Sequence, residues 1–291
     1  MKLKTFASVV VMILLTHITG CILFDNDTDN PLPDMNFIYP LSIGICWEYE
    51  KLITYDFDTL AISNGFSDTS FYSTASVEII DNEIIFDIFE TYNFKSTLYE
   101  DSNIYGGNEY YNNMKNGLIN YGYTTPYMLT PKKNQGCSYL MFKGKKFNNI
   151  RQIIGLIEMG YYCAGPTKED SIIFDRVQAL EYPLEKGREW TYRTETYDGQ
   201  PWRIDKKILD WKRIDVPAGR FNCWRIQWFN NPFGSGTNWD EDIFELDYIS
   251  EEGLIKRILG LYNIQYYGAG EILLGYMDYT EETTLVDYTI E

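Results

Sequence analysis

From residue 46 onward the chain is dominated by short runs in which apolar and polar residues alternate, and a period of two predicts strands with one buried face. Ser76-Val77-Glu78-Ile79-Ile80 and Glu83-Ile84-Ile85-Phe86-Asp87-Ile88-Phe89 flank Asp81-Asn82, the spacing of a hairpin. Glu109 to Met114 and Leu118 to Tyr123 flank Lys115-Asn116-Gly117, and Tyr139-Leu140-Met141-Phe142 precedes a Lys143-Gly144-Lys145 turn. Lys207 to Ile214 and Phe221 to Phe229 flank Pro217-Ala218-Gly219, with Trp224, Ile226 and Trp228 on one face. One stretch departs from this pattern. Phe147, Ile150, Ile154 and Ile157 follow helical spacing after Asn148 and Asn149, which predicts one short helix. Neighbouring runs are joined by short turns, so the expected fold is mainly β, an antiparallel curved sheet or sandwich with little helix.

The pattern also repeats. Tyr39-Pro40-Leu41-x-x-Gly44-x-x-Trp47-x-Tyr49 recurs 143 residues later as Tyr182-Pro183-Leu184-x-x-Gly187-x-x-Trp190-x-Tyr192, and both copies are followed by Thr-Tyr-Asp, at 54–56 and 196–198. Each phrase reads as a proline-led entry, a turn at the glycine, and a strand whose Trp and Tyr share one face. Trp47, Tyr49, Trp190 and Tyr192 are therefore expected to be structural. In the second copy Glu189, Thr191, Arg193 and Glu195 alternate with Trp190, Tyr192, Thr194 and Thr196, predicting one solvated face. A weaker echo follows each phrase, Asn116-Gly117-Leu118-Ile119 and Glu252-Gly253-Leu254-Ile255. The expected organisation is a leader (1–20), an acidic tether (21–36) and two related β halves (37–165 and 166–291) that form two lobes or one continuous domain.

Composition narrows the chemistry. Aromatic residues make up 16% of the 291 residues, with 25 Tyr, 16 Phe and 7 Trp, which suits pleated, half-buried surfaces. The formal charge of −17 becomes −19 when Lys2 and Lys4 leave with the leader, which argues against nucleic acid and anionic lipid as electrostatic partners. The one histidine, His17, lies in the leader, so the body would lack Ser-His-Asp or Cys-His activation and His-ligated zinc. No cofactor and no metal are expected, and the body reads as no enzyme.

The N-terminus carries the most specific motif. Met1-Lys2-Leu3-Lys4 precedes an apolar run from Phe6 to Leu15, too short to span a bilayer but suited to a secretory signal. Ile18-Thr19-Gly20-Cys21 resembles the lipobox of bacterial lipoproteins, and the resemblance implies a lipidated Cys21 as the mature N-terminus, anchored by several acyl chains. Ile22 stands where an aspartate would mark inner-membrane retention in such proteins, which leans the expectation toward the outer membrane of the bacterial cell envelope. Asp25-Asn26-Asp27-Thr28-Asp29 looks like an EF-hand opening, but Asn30, Pro31 and Asn36 stand where that loop needs Gly and a bidentate Glu. The body is similar to a loose set of bacterial envelope proteins sharing P-L-x-x-G-x-x-W-x-Y, V-P-A-G-x-F (here Val216 to Phe221) and G-L-[VI]-K (here Gly253 to Lys256), a set with no chemistry to transfer.

Candidate sites are few. Cys46, Cys137, Cys163 and Cys223 could form two disulfides in an oxidising envelope, in any of three pairings, or remain buried thiols. Asp240-Glu241-Asp242 with Glu245, Asp247, Glu251 and Glu252 reads as a solvated strand face rather than a carboxylate site. Tyr110-Tyr111, Tyr121 with Tyr123, and Tyr266-Tyr267 read as cross-strand packing rather than sugar-stacking platforms. The function expected is a lipid-anchored binding or scaffolding role directed at a protein or glycan. The alternatives are carriage of an apolar ligand or lipid in a half-open sheet, and a histidine-free hydrolase using carboxylates. Replacing Cys21 by Ala is expected to abolish palmitate labelling and membrane retention together; labelling that survives the substitution would contradict acylation at this cysteine.

Overall fold

A computed structural model describes residues 36–100, 103–124, 138–159, 172–197, 200–232 and 240–290. Alternation becomes strand almost wherever the sequence displays it. The first half contributes β1 (Cys46–Phe57), β2 (Thr69–Ile85), β3 (Phe89–Glu100), β4 (Asn103–Met114), β5 (Gly117–Thr124), the short pair β6 (Tyr139–Phe142) and β7 (Lys145–Phe147), and β8 (Ile172–Glu181). The second contributes β9 (Glu189–Tyr197), β10 (Gln200–Val216), β11 (Gly219–Pro232), β12 (Ile243–Ser250), β13 (Gly253–Tyr267) and β14 (Leu273–Thr289). Two helices, α1 (Thr59–Ser63) and α2 (Ile150–Met159), and a 3-10 turn at Ala269–Glu271 complete the described elements.

All strands belong to one antiparallel sheet in the order β8-β5-β4-β3-β2-β1-β14-β13-β12-β11-β10-β9, with β6 added to the end of β13 and β7 beside it. The sheet curls until its ends meet: Arg193 of β9 pairs with Asp175 of β8, and Trp190 Nε1 donates to Gln178 O at 2.9 Å. The product is a nearly closed barrel, not a sandwich of two sheets.

Around the barrel the chain runs twice through the same six-strand course, β1-β2-β3-β4-β5-β8 and then β9 to β14. The repeated phrase opens each course. Gly44 and Gly187 have φ of 93° and 86°, and each N–H reaches the second strand of its own half, Gly44 to Ile79 O at 2.9 Å and Gly187 to Ile208 O at 2.8 Å. Each phrase then docks on the glycine turn of the opposite half. Tyr182 N–H donates to Asn116 O at 3.0 Å, and Trp47 Nε1 to Glu252 O at 2.5 Å. Gly253 has φ 116°, and a Cβ there would sit 2.8 Å from Trp47 Nε1, so the indole fits only against a glycine. The copies also meet directly, Tyr39 N–H donating to Tyr182 Oη at 2.9 Å while Asn113 bonds both, at 2.7 Å each. Trp47 stacked on Phe94, with Phe37, Leu184 and Trp190, closes this end of the barrel with rings and aliphatics.

The opposite end is filled by the insertion β6-β7-α2, which lies between the fifth and sixth strands of the first half. Asn149 Oδ1 accepts from Gln152 N and Gln152 Oε1 accepts from Asn148 N, a reciprocal cap that starts α2 after the β7 strand. Ile150, Ile153, Ile154, Leu156 and Ile157 are all buried against Trp202, Ile204, Leu259, Leu261 and Tyr279 of the barrel wall. At about 1.5–3 kcal/mol per buried large aliphatic, this face supplies most of the reason the helix stays seated.

Two expectations are corrected. The β2-β3 turn lies at Phe86 to Ile88, not at Asp81-Asn82, because a bulge after Ile79 lets Asp81 and Asn82 stay in the ladder opposite Asn93 and Tyr92. Phe86 and Asp87 take up the left-handed backbone at the true tip, with φ of 53° and 58°. The second phrase keeps Glu189 and Thr191 exposed but loses its solvated face at Arg193, because the register shifts by one residue at Tyr192 and turns Arg193 inward to 6% exposure.

Trp47→Ala and Trp190→Ala are each expected to cost roughly 3–5 kcal/mol in urea unfolding. A wild-type unfolding midpoint for either variant would contradict the closing role given to these rings.

Candidate functional site

The inward faces of β1, β2 and β14 run from the closed end toward the insertion, and where they run out a pocket of about 520 Å³ opens. Tyr55 and Phe57 at the end of β1, Phe71 on β2, Met277 on β14 and Tyr266 on β13 form its wall, and Tyr139, Leu140 and Ile150 of the insertion form the facing side. Phe66, in the segment after α1, closes one flank. It packs against Phe57 at 5.3 Å and edge-on to Tyr266 at 4.7 Å between ring centroids. That segment is held by α1, whose cap Asp58 accepts from Ala61 N and Tyr276 N, and Gly275 leaves room for Ala61. Ser67, Thr69, Ser138, Asn148 and Asn149 supply the polar fringe, and no described lining residue carries a formal charge. Such a surface can desolvate an apolar body and offer hydrogen bonds to a neutral polar end.

Behind the pocket lies a charged belt. Two adjacent inward rungs cross six strands, Lys51-Thr283-Arg257-Asp247-Ile226-Ile208 and Ile53-Glu281-Leu259-Glu245-Trp228-Lys206. Buried charges need partners, and these have them. Glu281 accepts from Lys51 Nζ at 2.6 Å, Arg151 Nη1 at 2.9 Å and Tyr279 Oη at 2.6 Å. Burial alone would raise its carboxyl, but Lys51 and Arg151 outweigh that and hold it well below the usual carboxylate range. Asp247 takes a two-pronged contact from Arg257, at 2.6 and 3.0 Å, and the Trp228 indole N–H at 2.8 Å. Lys206 Nζ lies 3.6 Å from the Trp228 ring centroid and 4.1 Å from that of Tyr192, a cation between two aromatic faces. Burial pushes its amine down to about 7, against the pull of Asp247 and Glu245. Tyr279 links belt to pocket, its ring edge-on to Tyr55 at 5.3 Å.

Trp47, Tyr49 and Trp190 are buried in the closed end, and the partly buried Tyr192 packs on Trp228 in the belt. The acidic run divides. Asp240 and Asp242 hold Lys143 at the rim, but Glu245 and Asp247, expected on a solvated face, are 0% and 2% exposed. Glu245 and Asp247 face inward because Arg257 on the neighbouring strand matches their charge. Cys46 and Cys223 are free thiols, and burial pushes the Cys223 thiol up to about 12. Cys21, Cys137 and Cys163 lie outside the described residues. Tyr110 and Tyr121 belong to a small apolar cluster under the β2-β3 hairpin, where Tyr121 stacks on Phe89, and Tyr267 stacks on Tyr139 at 5.0 Å. Among the described residues no three of His, Cys, Asp and Glu gather as a metal site. Lys51, Arg151, Lys206 and Glu281 were missed, since a charge at an inward position looks like any other strand polar residue until its partners are known. Phe66 was missed for lack of any local period.

No protein-family model matches the chain, and no curated protein does. Among solved structures it is similar to a protein assigned as a lipoprotein from Parabacteroides distasonis, at 12% identity over 88% of this chain and 100% of the other, TM-score 0.30. It is also similar to a protein assigned as exported, with a YmcC-like fold, from Bacteroides fragilis, at 10% identity over 87% and 99%, TM-score 0.29. A third likeness is to a Vibrio parahaemolyticus domain assigned to outer-membrane lipoprotein sorting, at 10% identity over 84% and 85%, TM-score 0.23. These overlaps are too loose to transfer a ligand or a role, so the chemistry rests on the residues themselves.

The belt makes stability sensitive to acid in a defined direction. A carboxylate whose folded pKa lies below its unfolded value of about 4.3 stabilises the fold above that value, and the contribution is lost as pH falls through the folded pKa. Urea midpoints are therefore expected to fall steadily below about pH 4.5, and Glu281→Gln, which removes the carboxylate facing Lys51 and Arg151, is expected to cost about 3–5 kcal/mol at neutral pH and to flatten the acid slope. A variant as stable as wild type at pH 7 would contradict the role assigned to Glu281.

Proposed function

We propose that this protein is an exported, membrane-tethered carrier of an apolar ligand, held in the pocket between α1 and the β6-β7-α2 insertion and released unchanged. The observation that carries this reading is the pocket itself: about 520 Å³, walled by Tyr55, Phe57, Phe66, Phe71, Tyr266 and Met277, open to solvent and, among the described residues, lined by none that carries a charge. A volume in the range of small-molecule sites with an aromatic wall fits an alkyl chain or ring system, each buried methylene contributing about 0.8 kcal/mol. Its fringe of Ser, Thr and Asn can orient a polar end but offers no acid, base or activated nucleophile, which favours holding over turnover. The leader and the Ile18-Thr19-Gly20-Cys21 motif support export and acylation, and the charge of −17 favours a neutral ligand over an anionic one.

The reading is tested with N-phenyl-1-naphthylamine, a neutral aromatic probe whose emission rises on leaving water. Saturable one-to-one binding is expected, weakened at least tenfold by Phe66→Asp and competed by a long-chain fatty alcohol. Absence of saturation, or equal affinity in the variant, would overturn carriage in this pocket.

A further inference from the structure

Eleven of the twelve junctions around the barrel are laced by backbone ladders; the twelfth, between β8 and β9, has none among the described residues. Its counterpart in the other half, β14 to β1, is a full ladder from Cys46 opposite Thr289 to Phe57 opposite Met277. Across the β8-β9 junction the contacts come from side chains. Trp190 Nε1 donates to Gln178 O at 2.9 Å, Arg193 pairs with Asp175, and Lys206, from the strand beyond β9, passes its ammonium to Ala179 O at 3.2 Å. Carbonyls of β8 that a neighbouring strand would take up are thus held by an indole and an amine.

We propose that the β8-β9 junction is a lateral opening of the barrel, latched by Trp190, Arg193 and Lys206 and able to part while the other eleven junctions stay closed. Side-chain contacts break one at a time, whereas a ladder opens only as a cooperative unit, so this is where the least work separates two strands. Parting the strands would expose the charged belt and the edge of the closed end beside it, because Lys206 stands in the same rung as Glu245 and Trp228 and lies opposite Trp190.

Lys206 also gives the opening a pH dependence. It is 4% exposed and faces Tyr192 and Arg193 of β9, the Trp228 ring of β11, Glu245 and Asp247 of β12, Arg257 of β13 and the β8 carbonyl. Closed, its amine titrates at about 7 because burial disfavours the charge; in water a lysine titrates near 10.4. The open state therefore binds the proton more tightly, and protonation favours opening. The effect grows as pH falls from about 10 to 7 and levels off below, where both states are charged.

Hydrogen exchange of the intact chain, read by mass spectrometry, tests this. Segments 172–181 and 189–197 are expected to exchange at least tenfold faster than 46–57 and 277–289. After correction for intrinsic rates, their opening should fall several-fold per pH unit between pH 7 and 9. Trp190→Phe, which keeps the ring and removes the donor, should speed exchange in β8 and β9 alone, and Lys206→Met should remove the pH dependence. Protection in β8 and β9 equal to that in β1 and β14, a uniform rise in all strands with Trp190→Phe, or an unchanged pH dependence with Lys206→Met would each overturn the proposal.

Discussion

The barrel depends on the reciprocal docking of its two opening phrases. A curled sheet of twelve strands has two ends that must be brought together and one open mouth at each rim. At one rim both problems are met by the same contacts: the second phrase binds the Asn116-Gly117 turn of the first half, the first binds the Glu252-Gly253 turn of the second, and Tyr39 and Tyr182 join them through a hydrogen bond and Asn113. Neither half can close its own end. Each supplies the ring that caps the other, so the 143-residue repeat is a statement about mutual burial and not about two separable lobes.

That mutual dependence explains what was legible beforehand. The repeated Pro, Gly, Trp and Tyr carry local demands, a turn with positive φ and a ring on the inward face, and those demands are written at the positions that satisfy them. The turns at Gly117, Gly144 and Gly219 were legible for the same reason, as was α2, where Asn148 and Asn149 precede a helical spacing of isoleucines. Features that were not legible arise from contacts distant in sequence. A one-residue bulge at Tyr192 is invisible in an alternating run, yet it decides that Arg193 points inward. Glu245 and Asp247 look solvated because their partner Arg257 lies on the next strand, and Glu281 finds Lys51 and Arg151 from 230 and 130 residues away. The pocket was illegible as a place: its wall joins β1, β2, β13 and β14 with a segment after α1 and an insertion.

A charged belt inside a barrel is an expensive feature, since each desolvated ion costs several kcal/mol before its partner repays any of it. Apolar side chains of equal volume would hold the wall together at least as well. What the ions add is discrimination. Sliding β14 against β1 by one residue would carry Glu281 outward and take its charge away from the half-buried Lys51 and Arg151, an error more costly than mispacked isoleucines. In a sheet this long, built from two similar courses that could pair in the wrong register, a rung of matched charges selects one alignment. The same selectivity accounts for the belt's position midway between the apolar closed end and the α2 cluster, where misalignment from either side is felt.

The two courses differ most where the insertion enters, and that difference makes the pocket. In the second half, β13 passes to β14 through a single 3-10 turn; in the first, the equivalent step carries β6, β7 and α2, and β6 crosses over to pair with β13 of the other half. The insertion fills the barrel with the buried isoleucines of α2 and then stops short, because Asn148 and Asn149 must remain outside the helix to cap it. The shortfall leaves one face of Tyr55, Phe71 and Met277 lining the pocket opposite Leu140 and Ile150 of the insertion, with Phe66 on its flank. A symmetric barrel would have had no such gap. Repetition accounts for the stability of this molecule, and the insertion, where repetition fails, accounts for the surface that can hold something else.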